Sequence, residues 1–344
     1  MKIVASPDHR LHHPAGELYE GDLVPPFECP ERWDHIVAAL EGAALGEVAT
    51  PRPLPDTLLP RVHDERYLAF LSTAHDVWRA EGHRGDMIPT CFPARRMAPR
   101  EPLDIEGRLG FFAFASETSL TRGTWAAARS SVDVAYTAQQ LVGAGDNSAF
   151  ALCRPPGHHA GRDYFGGYCF LNNAAVVAQA FLDDGASRVA ILDVDFHHGN
   201  GTQDIFDRRD DVLFASIHGD PRHEFPHFSG FADEVGTGPG EGFTANYPLA
   251  PDTSFTAWME ALDSATRRID RIGVDALVVS LGVDTFVGDP ISTFRLTTAD
   301  FTSYGHHLGA LGLPTVYCME GGYAVDAIGT NVVNVLIGHQ EAAP

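Results

Sequence analysis

Over residues 127–336 the chain alternates two kinds of pattern. Short runs of nearly continuous apolar residues are "NSAFALC" (147–153), "SRVAILDVDF" (187–196), "DDVLFASIHG" (210–219), "VDALVVSLGVD" (274–284) and "LPTVYCMEG" (313–321). Most are rich in valine and isoleucine, as strands buried on both faces of a parallel sheet are. Between them lie helical stretches such as "NNAAVVAQAFLDDG" (172–185) and "SFTAWMEALDSATRRIDRIG" (254–273), each closed by the glycine a helix C-terminus favours. The alternation predicts βα units in a single α/β domain, residues 1–344, with an open doubly wound parallel sheet. Another short strand is expected from Lys2 to Ala5. Residues 76–124 break the pattern: rich in Pro, Gly and Arg and weakly periodic, they are expected to form a long inserted loop, either a cover over a site or a contact with another subunit.

In a parallel α/β sheet, sites form beyond the carboxyl ends of the strands. The 147–153 run is followed by His158 and His159, on a turn stiffened by two prolines and a glycine. The 187–196 run ends in "DVDFHHGNG", which carries Asp193, Asp195, His197 and Asn200. The 274–281 run leads to Asp284 and the 313–319 run to Tyr323. Each feature has a bland reading: a salt-bridged strand end for Asp195 and His197, two core histidines, a core tyrosine. Their convergence on one edge favours chemistry.

Asp195 and His197 stand two apart, so their side chains leave on one face; Asp284 can join them from a nearby strand, while His198 points the other way and is expected to pack. Two carboxylates and an imidazole with an open position are the arrangement of a catalytic metal. Zn²⁺ is favoured, one ion per chain, with Fe²⁺, Mn²⁺ or Co²⁺ also compatible. A metal brings the pKa of bound water to about 7. A neighbouring imidazole can take that proton and return it to a leaving amine. Asp193 and Asn200 are available to accept from the rear ring nitrogens, and Tyr323 can donate to a developing oxyanion.

Composition narrows the partners. Hydrophobic residues are 44% of the chain and the formal charge is −22. No run approaches the about 18 apolar residues of a membrane span, and "MKIVASPDHRLHH" lacks a signal layout. An acidic surface repels nucleic acid and draws cations, although solubility alone accounts for such a charge. The cysteines (Cys29, Cys91, Cys153, Cys169 and Cys318) are scattered and form no CxxC pair, so a reducing cytoplasm is expected.

"RPPGHHA" (154–160), "GGYCFLNNAAVVAQ" (166–179), "ILDVDFHHGNGTQDIF" (191–206), "SLGVDTF" (280–286) and "EGGY" (320–323) resemble the histone deacetylase superfamily of the arginase–deacetylase fold. "ELYEGDLVPPFE" (17–28), "DIEGRLGFF" (104–112), "GTWAAA" (123–128), "GDPRHEFPHF" (219–228) and "DPIS" (289–292) are similar to its bacterial acetylpolyamine amidohydrolase branch. The resemblance implies zinc ligation by Asp195, His197 and Asp284. It makes His159 the general base and acid, His158 its electrostatic partner, and Tyr323 the carbonyl-polarising hydroxyl. It makes Gly167 a backbone acceptor for the substrate amide, Tyr168 and Phe225 the aromatic walls, and Glu106 and Glu117 the partners of a distal amine. A structural K⁺ or Na⁺ is implied near Asp193, Asp195, His197, Ser216 and Ile217. Asn200 departs from the aspartate many eukaryotic members carry behind the base.

The resemblance further implies a homodimer built by the loop matching 76–124, which narrows the mouth and admits a slim cationic acetylated amine. The implied activity is hydrolysis of acetylputrescine, acetylcadaverine or acetylspermidine. The competing readings are deacetylation of acetyl-lysine or another acylated amine, arginase-like two-metal hydrolysis, and a non-enzymatic binding protein. "DVDFHHGNG" offers asparagine where a second metal needs aspartate, and no candidate ligand, base or tyrosine is missing.

Overall fold

The structure, a computed structural model, describes residues 1–343. Ten strands form: β1 (Lys2–Val4), β2 (Glu17–Tyr19), β3 (Asp22–Val24), β4 (Val48–Ala49), β5 (Ser148–Ala151), β6 (Val189–Asp193), β7 (Val212–Gly219), β8 (Thr244–Leu249), β9 (Ala276–Leu281) and β10 (Thr315–Met319). Eight of them make one sheet in the order β4-β1-β5-β10-β9-β6-β7-β8, and every pairing in it is parallel. β2 and β3 form a separate antiparallel hairpin. The central strands are buried along their whole length, which is why their sequences read as continuous apolar runs rather than alternating ones.

Ten α-helices connect and cover the strands: α1 (Glu31–Gly42), α2 (Leu59–Val62), α3 (Glu65–Ala80), α4 (Ile105–Phe111), α5 (Thr124–Gly143), α6 (Asn173–Asp183), α7 (Asn200–Phe206), α8 (Phe255–Ile272), α9 (Thr298–Gly309) and α10 (Val325–Ala342). The two stretches read as helices from the sequence are α6 and α8. Ser254 caps α8 by accepting from the Ala257 N–H, and Gly273 ends it at φ 70°, a left-handed value glycine adopts freely. Trp258, Leu262, Ala265 and Ile269, spaced three and four apart, form its buried stripe against β7 and β8. Among the described residues no helix is long and apolar enough to cross a membrane.

β5, β6, β7, β9 and β10 form inside the five expected runs, trimmed at both ends except β7, which reaches the end of its run at Gly219. The sequence reading missed β4, β8 and the β2–β3 hairpin. β8 (TANYPL) lies at the sheet edge, where Pro248 lacks only an outward N–H, so its composition argued against a strand that its position permits. The inserted loop is also shorter than 76–124. Asp64 caps α3 through the Arg66 N–H and the helix runs to Ala80, and α4 occupies 105–111. The irregular stretch is 81–104, closed by a two-way bridge between Met87 and Leu120 at 2.9 and 3.0 Å.

Candidate active site

The four strands whose ends carry the candidate residues are immediate neighbours, in the order β5-β10-β9-β6. The turns after them therefore converge over the middle of the sheet. A larger hollow of about 900 Å³ lies at the opposite ends of the strands, by Met1, Lys2 and Ser148. It collects none of these residues.

Beyond β6 the chain wraps its own carboxylates. Asp193 Oδ1 accepts from the Asp195 N–H at 3.2 Å, and Asp195 Oδ1 from the His197 N–H at 2.9 Å. Asp284 Oδ1 accepts from the Phe196 N–H at 2.8 Å and Asp195 Oδ2 from the Gly321 N–H at 2.8 Å. His197 Nδ1 then lies 3.1 Å from Asp284 Oδ2 and 3.4 Å from Asp195 Oδ1. Glycines at 282 and 321 leave the room these carboxylates occupy, because a Cβ at either position would collide with them.

Asp195, His197 and Asp284 each offer a ligand atom within 4.8 Å of the others. Ligand atoms about 2.0–2.2 Å from a tetrahedral ion stand roughly 3.3 Å apart, close to the 3.1 and 3.4 Å between His197 and the two carboxylates. No arginine or lysine bonds to either carboxylate among the described residues. Two buried acids so close need a cation or protons between them. Burial and the neighbouring Asp195 charge raise the Asp284 pKa, whereas at Asp195 the His158 and His197 charges outweigh burial and hold it low. The donor set fits a divalent ion.

His158 and His159 lie side by side, ring centroids 3.9 Å apart, yet meet different partners. His158 Nδ1 is 3.0 Å from Asp193 Oδ2. Burial opposes its protonation, but the Asp195 and Asp193 charges outweigh burial and raise its pKa to about 10. His159 Nδ1 faces the neutral Asn200 Oδ1 at 2.7 Å, and burial together with the His158 charge pushes its pKa well below the usual value. The two shifts run in opposite directions, the carboxylates favouring the protonated form of His158 and burial the free base of His159.

Tyr323 is buried under the Arg32 guanidinium, 5.0 Å above its ring, and burial raises the hydroxyl pKa well above the usual value. It remains a donor. Its backbone N–H and that of Ala324 donate to Asp289 Oδ2 at 2.7 and 3.2 Å.

A cavity of about 370 Å³ reaches His159, His197 and Tyr323 from outside, lined by Glu117, Gly167, Tyr168 and Phe225. The Phe225 ring stands edge-on to His159 at 5.1 Å, and Tyr168 lies 5.7 Å from Tyr323. Tyr168 is held at φ 65°, its N–H donating to Thr118 Oγ1 at 2.8 Å and its hydroxyl to Glu17 Oε1 at 2.9 Å. Gly167 also has positive φ, 54°, and a Cβ there would collide with the His159 ring. Only glycine lets this backbone approach the base so closely.

Not every candidate arrives where expected. Glu117 lines the cavity, but Oε1 accepts from the Gly167 N–H at 3.0 Å, so it braces the wall, and burial raises its pKa. Glu106 does not line the cavity of its own chain. It is exposed on the first turn of α4, with His83 3.8 Å away, so the distal-amine contact expected of it is not made within one chain. Asp193 and Ser216 stand opposite each other in the β6–β7 register, and Ile217 is buried beside them. His198 packs inward, bonding Gln203 Oε1 at 3.1 Å.

The sequence reading missed the residues that hold the turns. Glu320 Oε2 accepts from the Gly157 and His158 N–H groups at 2.6 and 3.1 Å. Arg32 donates to the Gly322 carbonyl at 2.7 Å and the Glu320 carbonyl at 2.5 Å, with Glu28 as its ion-pair partner. For three of the supports a signal was available, since Glu320 opens "EGGY", Asp289 opens "DPIS" and Glu28 closes "ELYEGDLVPPFE"; Arg32 lies in no such segment.

The Histone deacetylase domain profile matches residues 26–338. The chain is 56% identical to acetylpolyamine amidohydrolase 1 of Pseudomonas aeruginosa over 345 aligned positions, covering 100% of both chains. It is 55% identical to the acetylpolyamine amidohydrolase of Mycoplana ramosa, covering 98% of this chain and 99% of that one. The crystal structure of an acetylpolyamine aminohydrolase from Burkholderia pseudomallei superposes with a TM-score of 0.95 at 39% identity, covering 100% of both chains. Family profile, full-length similarity and superposition agree: the chain belongs to the histone deacetylase superfamily and, within it, to the bacterial acetylpolyamine amidohydrolase branch.

Proposed function

We propose that this chain hydrolyses small acetylated polyamines (acetylputrescine, acetylcadaverine or acetylspermidine) to acetate and the free amine. The observation that carries the reading is the placing of His159 beside the Asp195–His197–Asp284 cluster at the floor of a cavity with aromatic walls and acidic lining. Asp195, His197 and Asp284 would hold the divalent ion, Zn²⁺ first and Fe²⁺, Mn²⁺ or Co²⁺ as alternatives. When bound, it supplies Lewis acidity toward the acetyl carbonyl and acidifies water.

The chain's own groups do the rest. His159 takes the proton of the attacking water and delivers it to the departing nitrogen. His158, held as a cation against Asp193 and Asp195, supports the negative charge that develops. The Tyr323 hydroxyl donates to the former carbonyl oxygen. The Gly167 carbonyl accepts from the substrate amide N–H while also accepting from the Cys169 thiol at 3.2 Å. Tyr168 and Phe225 grip the methylene chain and place the distal ammonium toward Glu117. A structural K⁺ or Na⁺ under the strand end at Asp193, Asp195, His197, Ser216 and Ile217 belongs to the same proposal. So does a reducing cytoplasmic setting, in keeping with the unpaired cysteines.

Glu117→Gln tests the substrate class. Glutamine keeps an acceptor for Gly167 N–H and removes the charge. KM for acetylputrescine should rise roughly 3- to 100-fold, the span between an exposed ion pair and an enclosed charged hydrogen bond. KM for a neutral acetamide of the same length should barely move, and kcat should change less, because the distal contact is alike in ground and transition states. Equal losses on both substrates, or preference for an acetyl-lysine peptide by the unmodified enzyme, count against the polyamine reading.

A homodimer completes the proposal, since Glu106 can reach a substrate only from a facing copy. Light scattering of the intact chain should give twice 37.2 kDa. A monomer at micromolar concentration removes Glu106 from the site.

A further inference from the structure

His159 can act as a base at Nε2 only if its ring proton sits on Nδ1. Nδ1 faces Asn200 Oδ1 at 2.7 Å. A carboxylate at position 200 would accept with either oxygen and would need no orientation. A carboxamide has two unlike ends. Turned over, it would present its NH₂ group to Nδ1, the ring proton would move to Nε2, and the lone pair toward the cavity would be lost. Asparagine behind the base therefore needs a device that selects its orientation.

We propose that Tyr164 is that device, a positioning residue that locks the Asn200 carboxamide with its oxygen toward His159. The Tyr164 hydroxyl donates to the Asn200 backbone carbonyl at 3.2 Å. With its proton committed there, it offers only lone pairs, and it accepts from Asn200 Nδ2 at 3.3 Å. A flipped amide would set oxygen against oxygen, or force the hydroxyl to abandon the backbone carbonyl. Burial and the nearby Asp204 charge keep the phenol protonated.

The ring cannot drift. It folds back over Gly161, where a Cβ would collide with it, and the Gly161 N–H donates to the Tyr164 carbonyl at 3.0 Å. Phe114 stands edge-on at 5.5 Å, and that same ring stacks on Phe225 of the cavity wall at 5.6 Å. Asn200 is fixed from its own side, its N–H donating to the His198 carbonyl at 2.8 Å. The tyrosine in "HHAGRDYF" thus acquires a task that the asparagine creates.

This inference rests on the base role proposed for His159, and a double-variant cycle separates the two. Tyr164→Phe keeps the ring packing. In the zinc-loaded enzyme it should lower kcat for acetylputrescine roughly 2- to 10-fold with KM little changed, the value of one lost hydrogen bond's orienting effect. In an Asn200→Asp background, where orientation no longer matters, the same substitution should change kcat by less than about 2-fold. With a carboxylate at 200 the Tyr164 hydroxyl has a second acceptor beside the backbone carbonyl, so the kinetic cycle is read together with the tautomer itself. Ring-¹⁵N histidine spectra of the zinc-loaded protein read the tautomer without turnover: His159 should be Nδ1-protonated, and Tyr164→Phe should introduce an Nε2-protonated fraction. Equal losses in both backgrounds, or a His159 tautomer unchanged by Tyr164→Phe, overturn the inference. A failure of the base role would appear instead as turnover retained by His159→Ala.

Discussion

Asp284→Ala is expected to leave the purified protein without stoichiometric zinc and without turnover above background. The side chain is fully buried, and one of its oxygens stands 3.1 Å from His197 Nδ1. Removing it leaves two of the three protein donors that hold a catalytic ion. It also leaves the Phe196 N–H without its acceptor, a cost of about 1–3 kcal/mol. Elemental analysis must therefore be paired with circular dichroism and a melting curve, and Asp284→Asn, which keeps an acceptor for that N–H, is the companion variant. Chelation gives an independent readout. An ion that binds only the folded state stabilises it by mass action, so chelator should lower Tm of the native enzyme and leave that of Asp284→Ala in place. Stoichiometric zinc in the folded alanine variant sinks the ligand assignment.

His159→Ala comes next in size. General acid–base catalysis is typically worth ~10²–10⁴ in rate. The loss in kcat should reach the upper part of that span, because one ring serves both the attacking water and the departing amine. His158 cannot substitute. Its Nδ1 is committed to Asp193, and the Asp193 and Asp195 carboxylates favour its protonated form, which is no base. Zinc content should stay stoichiometric, since His159 offers no atom to the Asp195–His197–Asp284 cluster. KM should change little beyond the loss of packing against Phe225. A variant that retains zinc and near-native turnover shows that the base lies elsewhere.

What the sequence made legible follows from where information is local. Asp195 and His197 share a strand end, so their common face could be read from spacing, and the buried strands announced themselves as apolar runs. β8 did not, because an edge strand tolerates the asparagine and proline that argue against a central one. The supports of the site were invisible for another reason. Glu320, Asp289 and Thr118 act by accepting backbone N–H groups, and which N–H they meet depends on the path of the chain. Glu17 meets the Tyr168 hydroxyl across 151 residues, a pairing no local pattern encodes. Glu106 and Glu117 carried equal weight as residue types in one segment. Only the turn after α4 shows that one faces solvent and the other the cavity.

The floor and the mouth of the cavity come from different parts of the architecture. The floor hangs on the ends of β5, β10, β9 and β6, neighbours in the centre of a buried parallel sheet. The mouth is drawn from the β2–β3 hairpin, through Leu18, Tyr19 and Glu20, and from the loop carrying His223, Glu224 and His227. Loops tolerate substitution and insertion far better than buried strands. The mouth can therefore vary without disturbing the floor. Laboratory evolution aimed at a new acylated amine should concentrate its library on residues 18–20 and 223–227, where changes leave the hydrolytic floor in place.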